Sequence, residues 1–118
     1  MIKQMPDTKT EERRRFERIE ITPQAQILVL DSSDKKVGEL RQLARGGFSM
    51  KTDKTYAKDG KTHQFTIHEP GEGIRVPVKG KVRFAERGHT GFEFVDLGPD
   101  AAVDVGIIIG KYYEPAKE

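Results

Sequence analysis

A chain of 118 residues without cysteine has room for one modest core, and it excludes disulfides, thiolate metal sites and cysteine nucleophiles. Lys and Arg number 21 against 19 Asp and Glu, and a net charge of +2 is far from the broad basic footprint of a protein that coats nucleic acid. No apolar run reaches the length of a membrane span, and residues 1–7 lack the apolar segment of a secretory signal, so the expectation is a cytoplasmic domain without membrane insertion.

Residues 1–12 are polar and follow neither a helical nor a strand period, which predicts a flexible arm ahead of a single domain over 13–118. The basic run Arg13-Arg14-Arg15-Phe16-Glu17-Arg18 follows at once. Such runs are usually solvated. Arginine is nevertheless the side chain best suited to planar recognition of a phosphate or a guanine edge. Arg14 and Arg18 are four apart, so on a helix or on a strand they share one side and can grip one ligand.

Residues 19–30 alternate, with Ile19, Ile21, Ala25, Ile27 and Val29 set against Glu20, Thr22, Gln24 and Gln26. That period predicts a half-buried strand, which Pro23 must interrupt at an edge or a bulge. Turn chemistry at 31–36 leads into a second strand over 37–44, with Glu39, Arg41 and Leu43 alternating against Leu40 and Gln42. Gly46-Gly47 then breaks the pattern, suggesting positive φ and a close approach by another group. Further strands are expected over 48–52 and over 63–68, the latter with Phe65 and Ile67 on one face. The clearest strand starts at Ile74. It places Val76, Val78, Val82 and Phe84 with Ile74 on an apolar face, and Arg75, Lys79, Lys81 and Arg83 opposite, with a bend at Gly80. Residues 89–95 return with Phe92 and Phe94 on one side and Glu93 on the other. Pro99-Asp100 opens a helix, for which Ala102, Val103, Ile107 and Ile108 supply the apolar face; Gly106, Gly110 and three isoleucines leave a final β-segment as the competing reading. The sum is a mainly β chain: about six antiparallel strands closed into a small barrel, with a C-terminal helix.

Catalytic constellations are absent. His63, His68 and His89 lack ligand spacing, no metal site or cofactor is implied, and no nucleophile elbow, P-loop or dinucleotide fingerprint occurs. The expectation is not an enzyme. The basic face of the Ile74 strand offers a nucleic-acid barrel as one reading, but the near-neutral charge argues against DNA or RNA.

Three features together resemble the PilZ family: the RxxxR of Arg14 to Arg18 before a strand, the strand–Gly-Gly–strand at 43–48, and Gly91-Phe92-Glu93-Phe94, similar to that family's Gly-x-x-Phe. The match in order and spacing runs over about residues 11 to 113. The resemblance implies a bacterial cyclic di-GMP receptor, with the nucleotide often an intercalated dimer held by Arg14 and Arg18. The family's [D/N]xSxxG motif falls on Gln42, Ala44 and Gly47, with Arg13, Arg15 and Arg45 as auxiliary cations. Gln42 keeps an amide one methylene longer than asparagine, and Ala44 lacks the hydroxyl. Each lost hydrogen bond costs on the order of 1 kcal/mol, more if a ligand group is left buried, so the pair would weaken binding by roughly 10 to 1,000-fold. Two functions therefore stand at this point. One is a nucleotide sensor whose arm orders on the ligand and signals to a protein partner; the other is an adaptor of the same fold that acts by protein contacts alone. Either would be a monomer or a weak dimer.

Overall fold

The computed structural model describes residues 18–113, so the expected arm over 1–12 lies outside the described residues. Seven strands and one helix follow in order: β1 (Arg18–Glu20), β2 (Leu28–Leu30), β3 (Lys36–Ala44), β4 (Gly47–Lys51), β5 (His63–Glu69), β6 (Ile74–Glu86), β7 (His89–Phe94) and α1 (Pro99–Tyr112). Every pairing is antiparallel, and the order β3-β2-β5-β6-β7-β4 closes on itself through β3–β4. The result is a six-stranded barrel with β1 as a seventh, outer strand on β3.

The seventh strand comes from Pro23. The expected strand over 19–30 is broken by a 3₁₀ turn at Pro23–Ala25, and Gln26 takes up a left-handed φ of 55° to close it. Both halves still lie along β3, since Arg18 pairs with Ala44 and Leu28 with Glu39. Proline cannot donate to a ladder, so the chain leaves the sheet for one turn and then returns.

The core is aromatic at its centre. Phe92 is 1 % exposed, stacks on Phe48 with centroids 5.2 Å apart, and meets Phe65 edge-on at 4.9 Å and Tyr56 at 5.3 Å. Gly80 makes room for it. A Cβ there would lie 3.0 Å from the Phe92 Cβ, so the glycine marks a close approach inside the barrel.

Two β-bulges overturn two of the faces that strict alternation assigns. In β3 the register slips between Leu40 and Gln42, so Leu40 and Leu43 both enter the core while Gln42 turns outward. In β6 it slips between Val82 and Phe84, so Val82 stays buried but Phe84 sits on the outer wall, 37 % exposed. One extra residue inverts every side chain beyond it.

α1 starts at an N-cap Gly98 with Pro99 and Asp100 in its first turn. It buries Ala101, Val105, Ile108 and Ile109 against β6, β3 and β1. These positions follow the i, i+4, i+7, i+8 stripe. The apolar face expected from Ala102, Val103 and Ile107 is therefore wrong in phase: Val103 is 61 % and Ile107 46 % exposed, and of the expected set only Ile108 is buried. The end of α1 is tied to the start of the β5–β6 turn by Glu69. That carboxylate is fully buried, accepting from Lys111 Nζ at 2.8 Å, Tyr112 Oη at 2.6 Å, and the backbone N–H of Gly71 and Glu72 at 3.0 Å each.

Candidate functional site

The β3 bulge and the β1–β3 pairing together compose one patch of the outer barrel wall. Two cross-strand rows run over it. Residues of the first, from β1 to β6, are Glu20, Gln42, Ser49, Gly91 and Phe84, each the register partner of the next. The second is Arg18, Ala44, Gly47, Glu93 and Lys81. Arg18 and Glu20 are two apart on β1 and so share its outer face. Neighbouring strands lie about 4.8 Å apart, so adjacent members of a row, though distant in sequence, come within reach of one small ligand.

Between the rows is a recess of about 190 Å³, bordered by Arg18, Gln42, Ala44, Gly47, Phe84 and Gly91 among others. Its shape depends on two glycines. A Cβ on Gly91 would overlap the Phe84 ring, which is why that ring can lie down as a flat apolar wall. A Cβ on Gly47 would collide with the Phe92 carbonyl oxygen, so packing of β4 on β7 requires this glycine in its own right. Neither Gly46 nor Gly47 adopts a positive φ, so the expectation of left-handed backbone there fails while that of a close approach holds.

Gln42 is held firmly. Its Nε2 donates to Glu20 Oε2 at 2.8 Å, and its Oε1 accepts from Ser49 Oγ at 3.1 Å. Ser49 is buried, and its Oγ lies 3.0 Å from His89 Nε2. Across the recess, the Phe84 ring meets the His89 ring with centroids 5.3 Å apart.

The structure thus gathers Arg18, Gln42, Ala44 and Gly47 around one recess. Arg45 lies elsewhere: it is exposed in the β3–β4 turn with its guanidinium beside Gly106 of α1, 3.5 Å from where a Cβ would be. Arg13, Arg14 and Arg15 lie outside the described residues. Sequence reasoning missed Glu20, Ser49, Phe84 and His89 as members of this site. The available signal for Ser49 was a hydroxyl at an alternate position between the apolar Phe48 and Met50; Phe84 gave none, because neither Gly nor Pro marks the bulge. Among the described residues no three His, Asp or Glu side chains converge as a metal site, and no helix is long and apolar enough to cross a membrane.

Comparison with known proteins agrees with this architecture. The sequence model of the PilZ domain family matches residues 12–106. No curated protein matches the chain. Among solved structures, the chain is similar to the PilZ domain of CeSA from a cellulose-synthesizing bacterium, with 19 % identity and a TM-score of 0.58 over 80 % of this chain and 95 % of that one. At that identity the likeness speaks for the fold alone.

Proposed function

The chain belongs to the PilZ domain family, whose members are generally cyclic di-GMP receptor modules, and we propose that it binds cyclic di-GMP in the outer-wall recess. The observation that carries this reading is the register that sets Arg18 beside Ala44 and Gly47, bringing the motif arginine to the second motif across β1 and β3. Arg18 supplies a permanent cation for a phosphate, and the Phe84 ring supplies a flat wall on which a purine can stack.

The recess is smaller than the roughly 300 Å³ at which enclosed small-molecule pockets begin, so a dinucleotide here needs a second wall. Residues ahead of Arg18 supply it in this proposal. Arg14, with Arg13 and Arg15 in support, closes over the ligand, and the newly ordered arm is what a protein partner reads. An intercalated nucleotide dimer would present more phosphate to the same arginines, while Arg45 would have to swing away from α1 to take part. The module works as a binding protein in the cytoplasm, as a monomer or weak dimer, without catalysis.

Ala44 favours a second reading. It carries no hydroxyl toward the recess, and Gln42 is already engaged by Glu20 and Ser49, as expected of an adaptor that has given up the nucleotide.

Titration calorimetry separates the two. For the receptor, cyclic di-GMP binds with measurable heat, and Arg18→Ala weakens binding at least tenfold, equivalent to about 1.4 kcal/mol. Added salt also weakens it, because both ligand phosphates are anionic. For the adaptor, the natural chain gives no heat at millimolar ligand, while the double variant Gln42→Asp, Ala44→Ser does.

A further inference from the structure

The hydrogen bonds across the first row have a direction. A carboxylate only accepts, so the end of the Gln42 amide beside Glu20 must be its NH₂ group, and its oxygen therefore faces Ser49. The single hydroxyl proton of Ser49 then goes to Gln42 Oε1, which leaves His89 Nε2 to donate to Ser49 Oγ. Donation runs from His89 on β7 through Ser49 on β4 and Gln42 on β3, and it ends on Glu20 of β1. Three strands thus hold one exposed carboxylate in place on β1, two residues from Arg18, which itself borders the recess.

We propose that Glu20 is the base-reading residue of this site: its carboxylate accepts from the N1–H and exocyclic N2–H₂ of guanine, with Gln42, Ser49 and His89 as the positioning residues that aim it. The assignment rests on the cyclic di-GMP reading and deepens it. It also accounts for the amide at position 42, because Gln42 turns its donor to Glu20 and leaves an acceptor one strand further out. Each carboxylate oxygen carries two lone pairs, so accepting one bond from Gln42 leaves ample capacity for a guanine edge. Arg18 and Glu20 lie about 7 Å apart along β1, a spacing that lets the cation take a phosphate while the carboxylate takes the attached base.

The sign of one substitution decides the matter. Were Glu20 only a bystander on the outer strand, it would repel a ligand with two anionic phosphates, and Glu20→Gln would tighten binding, most of all at low salt. As a base reader, its loss does the reverse. Calorimetry of the purified chain with cyclic di-GMP should show Glu20→Gln weakening binding about tenfold or more, with an unchanged thermal midpoint. Glu20→Asp, which keeps the charge but shortens the reach, should weaken it too. The natural chain should prefer cyclic di-GMP to cyclic di-AMP, whose adenine lacks both donors, and Glu20→Gln should level that preference. Unchanged or tighter cyclic di-GMP binding by Glu20→Gln overturns the assignment and leaves the receptor reading standing. Absence of binding by the natural chain at millimolar ligand removes both.

Discussion

Phe92→Ala should cost about 3–5 kcal/mol in denaturant unfolding, whereas Phe84→Ala should cost less than about 1.5 kcal/mol. The two phenylalanines lie on adjacent strands and look alike by alternation, but they face opposite sides of the barrel wall. Phe92 is enclosed by Phe48, Phe65 and Tyr56, so truncation leaves a cavity that the stiff surrounding strands cannot close. Phe84 covers Gly91 and touches His89 from outside, and water replaces it at small cost. The functional effects should run the other way: Phe84→Ala keeps the fold but loses the stacking wall of the recess, weakening cyclic di-GMP by roughly tenfold. A large loss of stability at Phe84 would mean that the bulge at Val82/Phe84 does not exist.

Acid should weaken the attachment of α1 before it disturbs the barrel. Burial alone would raise the Glu69 carboxyl, but the hydrogen bonds from Lys111, Tyr112, Glu72 N–H and Gly71 N–H outweigh it and hold the pKa down to about 2, against an ordinary value of 4.5. The folded state therefore favours the ionised form. Its contribution, up to about 3 kcal/mol, is complete above pH 4.5 and is lost as pH falls from there towards 2. Stability measured between pH 6 and pH 2 should fall through that window. Glu69→Gln should be less stable at pH 6 and should show a flatter acid limb, because no proton remains to be taken up at this position. An acid limb of equal steepness in the variant would assign it to other carboxylates. Lys111 is held above the ordinary lysine value, chiefly by its hydrogen bond to Glu69, so the pair stays charged through neutral pH.

Much of the architecture was legible in the chain, because strands and turns are written in local chemistry. Phe65 and Ile67 alternate and are buried as expected, the turn expected from Asp and Ser after Leu30 forms there, and Pro23 breaks the first strand where a proline must. The clustering of Arg18 with Gln42, Ala44 and Gly47 was legible only through resemblance to a family, since no local pattern says that β1 will lie on β3. Phase was decided by the tertiary structure. A bulge costs one residue of register and carries no composition of its own, yet the bulges at Arg41 and Arg83 turn Gln42 and Phe84 outward, and those two side chains border the recess. The helix shows the same limit: Ala101, Val105, Ile108 and Ile109 and the exposed Val103 and Ile107 are comparably apolar, so only the position of the barrel selects which stripe is buried. Glu69 reads as an ordinary turn carboxylate until Lys111 and Tyr112 arrive from the far end of the domain. The sequence by itself determined the strands, the turns and the arginine run. The closure of the barrel decided which faces look outward, because burial is a property of neighbours that the chain meets only after it has folded.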